Sequence, residues 1–298
     1  MSAVTGLLRD PQRLLHGVVL GLWIAQPFAL GPLLDDALSA TTDPFRTTVS
    51  IGAWLGWFLI LVAMVVARPV TLTIVRICVP AALPIAVWAA FDVADNTTIL
   101  VGILSAAVAG LVVLLPGLGD RFVDGVSYGD ERRFLLRAPG PIVVSVLVPT
   151  WAVTVVGVLV GPLLLADERW LAGGLALIVG FPIAALGVRA MHRLTARFVV
   201  FVPNGFVIHD GAAMREPVLF ADREITALAP AAADTTATDF TAQALGLALE
   251  LRLRAPVKLP VVVDASTTTE ELVQSILISP TRPAAVMRFA QERGLPIG

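Results

Sequence analysis

One cysteine, one lysine, one tyrosine and three histidines in 298 residues leave little side-chain chemistry to arrange. Cys78 stands alone, which excludes an intramolecular disulfide and any cysteine-based metal cluster. His16, His192 and His209 are scattered singly, without metal-ligand spacing. Charged residues make up 15% of the chain, where a soluble domain carries about 25%. A net charge of −2 removes the bulk electrostatic argument for nucleic-acid binding. No nucleotide loop and no convergent acid, base and nucleophile set is present, so neither enzymatic activity nor a cofactor is expected. Lys258 is the only lysine, and with the Ala, Val, Gly and Pro excess this points to a high-GC bacterial coding bias.

What the chain has in excess is apolar. Hydrophobic residues are 57% of the total and mean hydropathy is +0.85. They fall into six runs, near 14–34, 50–67, 71–91, 98–118, 142–164 and 170–188. Each is long enough to cross a hydrocarbon core of ~30 Å at ~1.5 Å per residue. Irregular backbone cannot face lipid, so helices are the expected form. With the N-terminus inside, ten arginines lie on inner segments (Arg9, Arg13, Arg68, Arg76, Arg121, Arg132, Arg133, Arg137, Arg189, Arg193) and two on outer loops (Arg46, Arg169). That bias places both termini in the cytoplasm, and the outer loops are acidic instead. The first run exceeds a signal-peptide h-region and is read as a retained helix.

Within the runs, Pro27, Pro80, Pro84, Pro116, Pro149 and Pro182 mark possible kinks. Three GxxxG matches, Gly17/Gly21, Gly52/Gly56 and Gly157/Gly161, read as close packing inside the bundle. Run interiors hold almost no carboxylate or histidine, which argues against an ion-driven transporter. Arg76, a turn or two inside the third run, is expected to snorkel to the cytoplasmic surface.

The inner loop 120–141, DRFVDGVSYGDERRFLLRAPGP, is the longest connection between runs. Its acids balance its arginines, so it is not a polybasic lipid tail. Tyr128, Asp130, Glu131, Arg132, Arg133 and Phe134 form a candidate docking surface for the C-terminal domain or a partner.

From Arg197 the period changes from helical runs to alternation. Strands are expected at 197–202, 206–209, 217–220 and 225–228, with Pro203-Asn204-Gly205 as a turn. In 245–254, Leu245, Leu247, Leu249, Leu251 and Leu253 fall on one face, and Glu250, Arg252 and Arg254 on the other. After Ala255-Pro256 the alternation of Val257, Leu259, Val261 and Val263 suggests a hairpin. Thr268 and Glu271 make a capping box before Leu272, Val273, Ile276 and Leu277, predicting a helix. Pro283 is the expected N1 of a last helix carrying Val286, Phe289 and Ala290, ended by Gly294. His209 and Asp210 are adjacent on a strand and point to opposite faces, so they do not make an acid/base pair, and Asp210 is expected to cap a turn.

The order RFVVFVPNGFVIHD (Arg197 to Asp210), PVLFADREITAL (Pro217 to Leu228), paired strands and terminal helix resembles the bacterial PH-like domains of small membrane proteins. The resemblance covers the last third of the chain and implies a small curved sheet capped by a helix, used for docking to protein or lipid surfaces. It carries no functional residues over, and a lysine-rich headgroup loop is lacking.

The expected architecture is a polytopic α-helical membrane bundle of about six transmembrane helices with a small α+β cytoplasmic domain. A cytoplasmic segment covers 1–13, the bundle 14–188 with its inner loop, and the PH-like domain, an antiparallel sheet capped by a C-terminal helix, 197–298. The expected role is a non-enzymatic scaffold or accessory subunit of the bacterial plasma membrane. Its partners are membrane lipids and a membrane protein, with no nucleic acid. The alternative is a transporter or lipid-handling protein with the cytoplasmic domain as gate or sensor.

Overall fold

The computed structural model of the chain describes residues 11–140, 143–214, 216–262 and 268–298. Most of the expected N-terminal segment 1–13 therefore lies outside the described residues, as does Val263. Two compact units emerge. One holds the residues up to Phe122 together with Pro149–His192, and the other joins Val123–Val148 to Arg193–Gly298. The inner loop expected within the bundle thus contributes to the second unit.

The first unit is helical. Among the described residues, five helices are long and apolar enough to cross a membrane, which fits a multi-pass membrane protein. The first run is instead a bent helical path of three pieces: α1 (Pro11–Ile24), α2 (Gln26–Ala29) and α3 (Gly31–Leu38). Ala25 and Leu30 keep right-handed helical dihedrals at the bends, and Pro27 and Pro32 lack the N–H that a continuous ladder needs. Trp23 and Trp57 fasten this path to α4 (Asp43–Val65): each indole N–H donates to the other's carbonyl, at 3.0 and 2.9 Å. Gln26, 5% exposed, donates to the Ser105 carbonyl at 3.2 Å. Arg46 donates to the Leu38 and Ser39 carbonyls at the end of α3, where helical carbonyls lack partners.

α5 (Pro69–Ala89) and α6 (Asn96–Val113) follow, the latter N-capped by Asp95, whose carboxylate accepts from the Thr97 and Thr98 amides. Pro116 ends the fourth run early and starts α7 (Pro116–Asp124). A π-helical turn at Val143–Leu147 precedes α8 (Val148–Ala166), where Pro149 interrupts the ladder, and α9 (Trp170–Thr195) completes the helices.

Glycine sets the α8–α9 approach. A Cβ on Gly157 would lie 2.7 Å from the Gly180 carbonyl oxygen, one on Gly161 2.5 Å from Leu177 Cδ2, and one on Gly173 2.7 Å from Leu165 Cδ2. The two helices form an antiparallel hairpin through this seam. Gly17, Gly21, Gly52 and Gly56 meet nothing within 4 Å, so two of the three GxxxG matches do no such packing here.

The second unit is built on two four-stranded sheets. The first, in order β1-β2-β3-β4, comprises β1 (Arg132–Leu135), β2 (Phe198–Val202), β3 (Gly205–His209) and β4 (Val218–Ala221), all antiparallel. The second, in order β5-β7-β8-β6, comprises β5 (Ile225–Pro230), β7 (Leu249–Val262), β8 (Thr268–Ile278) and the short β6 (Thr238–Asp239), which runs parallel to β8. α10 (Pro283–Glu292) brings Val286 and Ala290 into one core with Phe134, Phe201, Phe206, Phe220, Leu251 and Ile276. Gly294 ends it at φ +77°. The Leu136–Pro280 bridge ties the first sheet to the end of β8, and Ile297 pairs beside Leu228 on β5.

Three expectations change. The predicted helix after Thr268 is strand β8, paired along β7. Ala255-Pro256 is no hairpin turn but part of an irregularity inside β7 between Arg252 and Val257, a place where a sheet tolerates proline. The leucine alternation is buried at Leu249, Leu251 and Leu253, whereas Leu245 and Leu247 precede the strand and are exposed.

The seam predicts an asymmetric response. Gly157→Val, which forces a side chain into the Gly180 carbonyl, should destabilise by about 1–3 kcal/mol or more. Gly52→Ala, facing open space, should leave the thermal midpoint of the solubilised protein unchanged or slightly raised.

Candidate docking loop and the clamp behind it

Asp124, at the end of α7, organises the loop. Its carboxylate accepts from the Ser127 hydroxyl at 2.9 Å and the Arg133 amide at 3.0 Å, and pairs with Arg132 at 2.8 Å. Gly129 takes φ +61° at the turn, a conformation glycine adopts freely. The Glu131 carboxylate pairs with Arg133 at 3.2 Å.

The structure therefore divides the six candidate residues. Phe134 is a core residue, 3% exposed, with its ring 5.8 Å from Phe201 and 5.9 Å from Phe289. Arg132 and Arg133 are engaged within the unit. The Arg133 guanidinium lies 5.4 Å over the Phe198 ring, whose ring stacks on His209 at 4.5 Å and 2°. Glu131 is half-buried. Tyr128 and Asp130 alone of the six remain fully exposed, on a turn braced from beneath.

Behind the loop lies a clamp that sequence reading did not single out. Arg197 Nε and Nη2 donate to the two Asp210 carboxylate oxygens at 2.7 and 2.8 Å, with side chains 2% and 0% exposed. Arg197 Nη1 also donates to the Arg137 carbonyl at 3.0 Å. Asp210 accepts the Ala212 amide at 3.0 Å, the turn-capping role expected of it. His209 turns the other way and its Nδ1 donates to the Ala196 carbonyl at 2.9 Å, so the two side chains do not converge.

The helical unit holds a second polar group. His16 Nε2 donates to the Met64 carbonyl at 2.8 Å, and its ring meets Phe122 edge-on at 5.6 Å. Thr73 Oγ1 lies 2.9 Å from His192 Nδ1. Asp120 is 1% exposed and within electrostatic range of Arg76, whose Nε is buried without a hydrogen-bond partner. Arg76 is half-buried in the same unit as this carboxylate. Reading Asp120 as a loop residue hid this arrangement. Among the described residues no group of three or more His, Cys, Asp and Glu side chains could hold a metal ion.

A shallow groove of about 520 Å³ runs along α5, lined by Pro80, Pro84, Val87, Trp88, Phe91 and Trp151. Its wall is almost wholly apolar. No protein-family model, curated protein or solved structure matches the chain.

Removing one partner of the clamp leaves a buried charge uncompensated. Asp210→Ala should cost about 3–5 kcal/mol, read as a lower urea midpoint, and Arg197→Met with Asp210→Leu should recover most of the loss. A weaker pair responds to pH. The Arg252 guanidinium, 2.9 Å from Glu250, holds that carboxyl below the usual glutamate value of 4.5, against its burial and aided by the Thr235 hydroxyl. A depressed folded-state value means stability fully present above pH 4.5 and lost as pH falls toward the folded value. Glu250→Gln should flatten the acid limb of the urea midpoint relative to wild type.

Proposed function

We propose that this chain is a non-enzymatic scaffold or accessory subunit of the bacterial plasma membrane, with both termini cytoplasmic. Its PH-like domain docks a membrane protein partner or the inner membrane surface. The observation that carries this reading is the Tyr128–Asp130 tip. Tyr128 is 87% exposed, yet its turn is held by Asp124, Arg132 and Glu131. An aromatic side chain on a braced turn loses little conformational freedom on binding, which is what an interface anchor requires. Two four-stranded sheets, antiparallel except for the short β6, and a C-terminal helix packed into their core support the PH-like part of the reading.

The apolar groove along α5 favours a second reading, a lipid-handling protein that seats an acyl chain between the Pro80–Pro84 segment and Trp151.

A native-tag pulldown from membranes in mild detergent, with mass spectrometry of proteins and lipids, separates the two. The scaffold reading expects a stoichiometric protein partner, captured about tenfold less by Tyr128→Ala/Asp130→Ala. Equal capture by wild type and variant would sink the assignment of the tip. One enriched lipid without a protein would move the function to the second reading.

A further inference from the structure

Between two core anchors, Phe240 and Leu249, the second unit presents an uncharged segment, FTAQALGLA, of unusual exposure. Leu245 is 77% and Leu247 50% exposed, although neighbouring leucines on the same alternation are buried. The segment has a defined shape. Ala242, Gln243 and Gly246 take φ values of 52°, 59° and 105°. Arg137 Nη1 donates to the Leu245 and Leu247 carbonyls at 3.2 and 3.1 Å. A side chain at Gly246 would strike that guanidinium, and one at Gly140 would lie 2.8 Å from Leu245 Cγ. Arg137 and Gly140 therefore hold the loop with its two leucines outward.

Those two residues also locate it. The candidate membrane span Ser145–Ala166 begins five residues after Gly140. Five residues reach at most about 18 Å when extended, and Val143–Leu147 is helical and shorter. A loop packed on Gly140 is thus tethered within a short reach of the level where its own chain enters lipid. Water is a poor neighbour for two exposed leucines on one short loop, and a segment without charge avoids the large cost of desolvating an ion on leaving water.

We propose that the 241–247 loop is a membrane-interface wedge, with Leu245 and Leu247 seated at the headgroup–acyl boundary of the bilayer that the chain spans. The Leu245 and Leu247 carbonyls stay satisfied by Arg137, so these two residues enter the lipid with their acceptors already paired. This deepens the membrane-surface half of the proposed function and makes no use of the Tyr128 tip, so either can fail alone.

The test uses the full chain in lipid nanodiscs at one copy per disc, on a Cys78→Ser background. Nitroxide labels are attached at Leu247→Cys, at Leu245→Cys in a second variant, and at Ala233→Cys on an exposed loop as the aqueous reference. Collision with oxygen and with a water-soluble nickel chelate is then measured. Both leucine sites should favour oxygen over nickel severalfold relative to Ala233. Nickel accessibility equal to that at Ala233, at both leucine sites, would overturn the proposal. Protection that appears only at two copies per disc would likewise overturn it, by assigning the loop to a second copy of the chain.

Discussion

The bidentate Arg197–Asp210 pair is the interaction on which the second unit turns. Arg197 is the residue at which the chain, having left the last membrane helix, becomes strand β2. Its guanidinium joins the end of β3, through Asp210, to the end of β1, through the Arg137 carbonyl. A buried guanidinium is tolerable only when its charge and most of its N–H groups are matched, and here a carboxylate and a backbone carbonyl do so. The pair need not add much net stability to be indispensable. Its loss would strand a charge in the core at the junction of three strands.

That junction explains an unusual topology. β1 and β2 are neighbours, with Leu135 opposite Phe198, yet the whole α8–α9 hairpin lies between them in sequence. They form a β-hairpin whose connecting loop is a pair of membrane helices. The long closure would ordinarily disfavour such pairing entropically, though the penalty grows only logarithmically with loop length. The glycine seam reduces it further. With Gly157 and Gly180 in close approach, α8 and α9 are packed together, so strand pairing alone does not have to close the loop.

The helices were legible because lipid admits only helices and closed β-barrels, and runs of this length and hydropathy fit helices. One bend of the first run was legible as Pro27, whereas Pro32 at the second bend and the splitting into three pieces were not. β2, β3 and the buried leucines of β7 followed from alternation. β8 did not, because TTTEELVQSILI carries two conflicting patterns. Leu272, Val273, Ile276 and Leu277 lie at helical spacing, but the structure buries Val273, Ile276 and Ile278 and leaves Leu272 exposed. Pairing with β7 decides the matter, and a capping-box match cannot outweigh a long partner strand. In the loop 120–141, charge density drew attention to six residues, while the one that organises them, Asp124, looked like any loop acid. Its role rests on reaching Arg132 and the Arg133 amide, a relation of three-dimensional position. Arg197 and Asp210 were hidden for the same reason, one read as a strand start and the other as a cap.

The second unit is discontinuous in sequence and is joined to the helices at more than one point. α9 ends at Thr195 and β2 begins at Phe198, so almost no slack separates helix from strand. At the other end the span begins soon after Gly140. These two connections leave the sheet from paired neighbours, not from distant corners. A shift of the β1–β2 edge therefore pulls on both ends of the same helical hairpin at once. A domain joined by a single terminal linker would absorb such a shift in the linker. Here the nearest irregular elements are the π-helical turn at Val143–Leu147 and the Pro149 that follows it, which lacks the N–H a continuous ladder needs. Beyond that turn the helices are closely packed, with no room for a Cβ at Gly157, Gly161 or Gly173.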